Sequence, residues 1–172
     1  MSAEPSRAAA PQLSVLIPCF NEAATLAEVI RAVLDSSLPS LQIVLVDDGS
    51  TDGTPELMRS GALGLREGID KVIIHERNRG KGAALRSAIA AADGEIMVIQ
   101  DADLEYDPAN YPRAFELIAS GRADVVYGSR FVGSEAHRVV YFWHMVGNRL
   151  LTLLSNMFTN HNLTVMETGS KM

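Results

Sequence analysis

The sequence predicts an α/β fold of three layers, with helices on both faces of a mostly parallel sheet. Short Val- and Ile-rich runs recur along the 172 residues, with helical segments between them. The runs are near-continuously apolar, as strands buried on both faces are. Strands alternating with helices imply a doubly wound parallel sheet, in which ligands bind beyond the carboxyl ends of the strands.

The predicted strands are LSVLI at 13–17, LQIVLV at 41–46, KVIIH at 71–75, EIMVIQ at 95–100 and DVVYG at 124–128. Between the first two, Leu26, Val29, Ile30, Val33 and Leu34 share a helical face. Asn21 is the predicted cap of that helix, and Pro39 lies beyond its end. Thr54-Pro55 starts a second helix, with proline in the permitted first turn. Gly82 to Ala92 is alanine-rich and helical, closed by Asp93-Gly94, and Pro112 to Ser120 is a short helix stopped by Gly121. From Val139 to Phe158, Val139, Phe142, Val146, Leu150, Leu153 and Met157 fall on one side of a helix. His144, Asn148, Thr152, Ser155 and Asn156 fall on another. That segment suits either docking on the sheet or, with Tyr141, Trp143 and Arg149, a membrane interface.

Composition narrows the class. A chain that is 47% hydrophobic and 21% charged has the profile of one soluble globular domain. Residues 1–12 lack an apolar signal region and read as a disordered lead-in to a domain over 13–172. A net charge of −6 argues against a nucleic-acid partner. The basic residues Arg77, Arg79, Lys81 and Arg86 nevertheless cluster where a small anion would be received. No run reaches the roughly 18 apolar residues of a spanning helix. The single Cys19 excludes an internal disulfide, and His75, His137, His144 and His161 have no metal-ligand spacing. These five are read as structural.

The strand ends carry the chemistry. They read PCFNE, DDGSTDGT, QDADLE and GSR, and three of the four contain carboxylates. VDDGSTDGT is either a tight turn, with Ser50 or Thr51 capping the next helix, or a place where Asp47 and Asp48 accept hydrogen bonds from a ligand such as a nucleobase edge. NRGKG is either a turn with solvated cations or a basic loop facing phosphates. It is not a Walker loop, and no GxGxxG follows the first strand. Asp101 and Asp103 of DAD could bind a divalent ion that bridges to a diphosphate, and oxygen-only ligands suit Mg²⁺ or Mn²⁺. Arg130 is either solvated or a bidentate phosphate clamp.

Taken in order, SVLIPCFNE, IVLVDDGSTDGT, HERNRGKGAALRSAIAAADGEIMVIQDADLEYDP and ADVVYGSRF resemble glycosyltransferase family 2. The likeness is to its dolichyl- or polyprenyl-phosphate sugar synthases, which have the GT-A, Rossmann-like nucleotide-diphospho-sugar transferase fold. It runs from about Leu13 to Lys171.

The resemblance implies a nucleotide diphosphate sugar of UDP-glucose or GDP-mannose type, Mg²⁺ or Mn²⁺, a polyprenyl phosphate acceptor, and inversion at the anomeric carbon. It implies that Pro18, Phe20 (commonly Tyr in the family) and Glu22 line the nucleotide site with Val46, Asp47 and Asp48. Asp101, Ala102 and Asp103 would form the metal and diphosphate site, with Glu105 where Gln is frequent. Asp103 and Arg130 would act at the transferring group, and Arg79 and Lys81 would cover the donor. A cytoplasmic placement with peripheral membrane contact follows from a lipid acceptor, and homo-oligomerisation is left open.

Two departures stand out. Val165 occupies a position where the family has an acidic residue, and Gly169-Ser170 replace a Cys-Tyr pair. With Met172 as the last residue, the domain is expected to be incomplete at its C-terminus. The alternative to an active transferase is a nucleotide-sugar-binding fragment without turnover. A receiver-like signalling domain also pairs carboxylates beyond parallel strands, but its phosphoacceptor-plus-lysine pattern is not apparent here.

Overall fold

The computed structural model describes residues 11–38, 40–103 and 107–127, together with the single positions 152 and 157. Four strands, β1 (Leu13–Cys19), β2 (Leu41–Asp47), β3 (Lys71–Ile74) and β4 (Ile96–Ile99), form one sheet in the order β3-β2-β1-β4. Every pairing is parallel, with Leu13 opposite both Leu41 and Ile96. The chain winds outward from β1 to β3 and then crosses to the far side of β1 for β4. The carboxyl ends of β1 and β4 therefore flank a topological switch point, where such sheets open a crevice.

Strand alternation divides the core. Leu13, Val15 and Ile17 of β1 and Leu41, Ile43 and Leu45 of β2 face one layer. There they meet α1 (Leu26–Leu34) through Leu26, Val29, Ile30 and Val33, the i, i+3, i+4, i+7 stripe of an amphipathic helix. α2 (Thr54–Arg59) adds Met58 and α4 (Tyr111–Ala119) adds Tyr111, Phe115 and Ile118 to the same layer. On the other face Leu16, Val44 and Val46 pack against Ala84 and Ala88 of α3 (Lys81–Ala91). Alanine suits this helix twice, having the highest helix propensity and the smallest side chain. The result is the predicted three-layer arrangement, with α3 alone among the described helices on its side.

Several local expectations shift. Asn21 does not cap α1; Thr25 occupies that position, and Asn21 instead adopts a left-handed φ of 58°. Its side-chain carbonyl accepts from the Thr51 N–H at 2.9 Å, so tertiary pairing of two loops wins over capping. Neither Ser50 nor Thr51 caps α2, whose cap position is Gly53. Pro55 lies in the first turn of α2 as predicted. α3 and α4 each begin one residue earlier than the sequence pattern suggests.

The predicted fifth strand forms no ladder over its described part. Residues 124–126 are irregular and Tyr127 makes one isolated bridge, while Gly128 lies outside the described residues. Of the predicted helix at 139–158, only Thr152 and Met157 are described, both helical. Thr152 is buried and Met157 is 72% exposed, the reverse of the predicted apolar and polar sides. On a continuous helix these positions stand about 140° apart and cannot share a face.

Candidate functional site

Beyond the carboxyl ends of β1, β2 and β4 lies a cleft of about 320 Å³, at the switch point. Pro18, Phe20, Glu22, Asp48, Lys81, Asp101, Ala102 and Asp103 line it, all of them residues singled out from the sequence. Cys19, Asn78 and Ala84 complete the wall.

Two strand-end loops are laced together to build one side. The Asn21 N–H donates to Ser50 Oγ at 2.8 Å, the Glu22 N–H to Thr54 Oγ1 at 3.0 Å and the Ala23 N–H to an Asp52 carboxylate oxygen at 3.2 Å. Thr25 Oγ1 sits 2.9 Å from both Glu22 Oε2 and the Ala102 carbonyl oxygen, which ties the loop after β1 to the DAD turn after β4. Glu22 is thus held at the cleft by its backbone and by its carboxylate.

The third wall is the basic loop between β3 and α3. The Arg79 N–H donates to both oxygens of Asp48 at 3.1 Å, so the carboxylate anchors the loop through its backbone. Asp48 is 3% exposed. Burial alone would raise its pKa, but the hydrogen bonds from His75 and the Arg79 N–H, with the Gly80 N–H nearby, reverse the effect. The carboxyl therefore titrates below the ordinary carboxylate range and stays ionised at neutral pH.

Gly49 permits this packing. Its φ is +74°, and a Cβ there would lie 2.4 Å from the Arg77 carbonyl carbon and 2.5 Å from the Asn78 nitrogen. Only glycine allows the loop after β2 to approach the basic loop so closely.

The charge at the end of β4 is offset from the same loop. Lys81, the first residue of α3, places its ammonium on Asp101 Oδ1 in a hydrogen-bonded ion pair. Lys81 is 59% exposed and can leave that partner readily. Asp101 and Asp103 both reach the cleft, but no group of three His, Cys, Asp or Glu able to hold a metal occurs among the described residues. Two hard carboxylates, one already bearing a cationic partner, fit a divalent ion such as Mg²⁺ that draws its other ligands from phosphate oxygens and water.

Other predicted residues are placed elsewhere. Val46 is fully buried and packs toward α3. Asp47 turns to the opposite side of β2 from Asp48, as successive strand residues do. It lines a separate depression, and its carboxylate accepts from the Ser50 N–H at 3.2 Å and from the Ser50 hydroxyl. Arg79 contributes its backbone N–H to Asp48. Glu105, Arg130 and Val165 lie outside the described residues.

Cys19 lies in the wall as a neutral thiol. Burial first, then Asp47, Glu22 and Asp52, push its pKa up to about 12, and Sγ is 3.4 Å from the Val46 carbonyl oxygen. His75, read from the sequence as structural, joins Asp48 directly, with Nδ1 2.7 Å from Oδ1. The available signal was a polar residue closing an apolar strand, the same signal that marks Asp47 and Asp48.

A parallel sheet with helices on both faces and a switch-point cleft lined by carboxylates and Lys81 matches the GT-A fold of the solved transferases it resembles. The chain belongs to glycosyl transferase family 2, whose profile matches residues 14–170. It is 32% identical over 167 residues to the low-salt glycan biosynthesis hexosyltransferase Agl6 of Haloferax volcanii, covering 95% of this chain and 38% of that protein. It is 37% identical over 145 residues to the undecaprenyl-phosphate 4-deoxy-4-formamido-L-arabinose transferase of Pseudomonas aeruginosa, covering 82% and 40%. The chain therefore spans well under half the length of these relatives. Among solved structures it resembles the mannosyltransferase PcManGT of Pyrobaculum calidifontis in complex with GDP-Man and Mn²⁺. That likeness has a TM-score of 0.62 and 32% identity, and covers 69% of this chain and 35% of the other.

Proposed function

We propose that this chain carries the donor side of a metal-dependent, inverting sugar transfer from a nucleotide diphosphate sugar to polyprenyl phosphate. The observation that supports this most is the convergence of Asp48, Lys81, Asp101 and Asp103 on one switch-point cleft. In this reading Phe20 (43% exposed at the cleft mouth) offers its ring to the nucleobase, and Asp48 accepts an N–H from the base edge. Glu22 and Pro18 bound the nucleoside.

Asp101 and Asp103 would hold Mg²⁺ or Mn²⁺, which when bound stabilises the charge on the departing diphosphate. Lys81 moves from Asp101 to the diphosphate as that charge arrives, and Arg79 supports it. Arg130 and Glu105 belong to the same reading from the sequence. A phosphate oxygen of the acceptor attacks the anomeric carbon from the side opposite the diphosphate. The carbon–oxygen bond to the diphosphate breaks, and its electron pair leaves with the nucleotide. The acceptor is already an anion, so Val165, which can take no proton, does not block the reaction. A lipid acceptor places the reaction at a membrane surface; no described helix is long and apolar enough to cross one.

The test is a thermal-shift screen of UDP- and GDP-sugars with and without Mn²⁺, followed by turnover with polyprenyl phosphate. The expected result is a Mn²⁺-dependent upward shift with one nucleotide series, abolished in Asp101→Ala, and formation of glycolipid. Shift without product supports a binding role alone. No shift with any sugar nucleotide refutes both.

A further inference from the structure

His75 is the first residue beyond β3, and its N–H donates to the Asp47 carbonyl at 2.9 Å, fixing it against β2. Its ring spans two layers of the fold. Nδ1 lies 2.7 Å from Asp48 Oδ1, and Nε2 lies 2.9 Å from Ser87 Oγ on α3. The side chains of the His75–Asp48 pair are only 7% and 4% exposed.

The roles of the two ring nitrogens follow from their partners. An ionised carboxylate can only accept, so Nδ1 carries a proton and donates to Asp48, while Nε2 is hydrogen-bonded to the Ser87 hydroxyl. The ring therefore links Ser87 on α3 to Asp48 at the cleft.

Asp48 Oδ1 accepts from His75 and shares the Arg79 N–H with Oδ2, while the Gly80 N–H donates to Asn78 Oδ1 at 3.0 Å. A carboxylate offers about four acceptor positions, which leaves one on Oδ2, and Asp48 lines the cleft. Without the ring, the carboxylate would be held only by the basic loop, and its terminal torsion is intrinsically broad.

We propose that His75, tethered by Ser87, is a positioning residue that orients the Asp48 carboxylate so that its open acceptor position reads an N–H on the edge of a donor nucleobase. This rests on the nucleotide-sugar reading given above. It separates base recognition, which passes through His75, from diphosphate recognition, which involves Lys81 and the DAD carboxylates.

Two amide substitutions test it on the full chain. His75→Asn keeps a donor near the Nδ1 position toward Asp48, whereas His75→Gln moves the amide outward toward Ser87 and removes that donor. Calorimetry in Mn²⁺ with UDP, GDP and pyrophosphate reads the difference. His75→Gln should lose about tenfold or more in affinity for the preferred nucleotide, the scale of a hydrogen bond to a charged group, and nothing for pyrophosphate. His75→Asn should stay within about threefold of the unmodified protein.

Equal affinities of the two variants, or an equal loss for pyrophosphate, would show a merely structural histidine and overturn the proposal. Failure of the unmodified protein to bind either nucleotide would remove the nucleotide reading itself, a separate outcome. Should His75→Gln not fold, Ser87→Ala, which loosens the tether, should weaken the nucleotide about threefold with pyrophosphate unchanged. No change in nucleotide affinity there overturns the proposal equally.

Discussion

At the amino end of the sheet, Ser14 Oγ donates to Gln42 Oε1 at 2.8 Å, and Gln42 Nε2 donates to Asp93 at 2.7 Å and to the Ile69 carbonyl at 2.8 Å. Beside them Asp70 accepts from the Ile43 N–H at 2.7 Å and from the Arg66 guanidinium at 2.8 and 2.9 Å. At the carboxyl end, Asp48 is bonded to His75 and the Arg79 N–H and Asp101 to the exposed Lys81, and both line a cleft. Both ends bury or crowd carboxylates. At the amino end polar groups are closed upon one another and hold strand starts together. At the carboxyl end they line an open cleft, which is where a ligand would bind.

The comparison can be broken most severely at Gly49. Gly49→Ala puts a Cβ into the backbone of Arg77 and Asn78 at a left-handed φ, and neither backbone atom can swing aside. The expected cost is about 2–4 kcal/mol, combining overpacking with the strained conformation. Chemical denaturation should show that loss, and calorimetry should show weakened nucleotide binding with it, because the loop anchored on Asp48 is displaced.

Asp70→Asn breaks the other end. The side chain of Asp70 is fully buried, and the substitution should cost about 2 kcal/mol while leaving nucleotide affinity unchanged. Burial would raise the Asp70 pKa, but the Arg66 guanidinium and the Ile43 and Arg66 N–H groups hold it below the usual range. A carboxyl whose pKa is depressed on folding contributes stability above its unfolded value, about pH 4, and loses it as pH falls through the folded value. Urea midpoints from pH 7 down to pH 3 should therefore fall in the unmodified protein, with this part of the decline missing in Asp70→Asn.

The smallest effect belongs to Lys71→Met. Its ion pair with Asp93 at 2.7 Å is exposed on both sides, so the expected loss is under about 1 kcal/mol. A larger loss would mean that the amino-end network extends to its solvent-facing member.

Much of this was legible in the chain itself. LSVLI and LQIVLV mark β1 and β2 because strands buried on both faces need unbroken apolar runs. KVIIH and EIMVIQ mark the partly buried outer strands β3 and β4, and the Leu26–Val33 stripe marks α1 because its spacing matches one helical face. The acidic strand ends were legible too, since carboxylates have no business in an apolar layer unless they lie at its edge. Asn21 was misread because its capping chemistry and its loop-pairing chemistry use the same side-chain oxygen. His75 was passed over because nothing local pairs it with Asp48, 27 residues earlier, or with Ser87, 12 residues later.

The sequence by itself determined a parallel α/β sheet, the binding edge of that sheet, and the acidic and basic residues gathered there. Residue type and period encode these, because burial and backbone hydrogen bonding act on each segment locally. Only the tertiary structure decided that Asp47 and Asp48 part to opposite sides of β2, that Lys81 offsets Asp101, and that His75 joins Asp48 to Ser87. These depend on which loops the strand order brings within hydrogen-bond reach, a distance of about 3 Å that no spacing along the chain specifies.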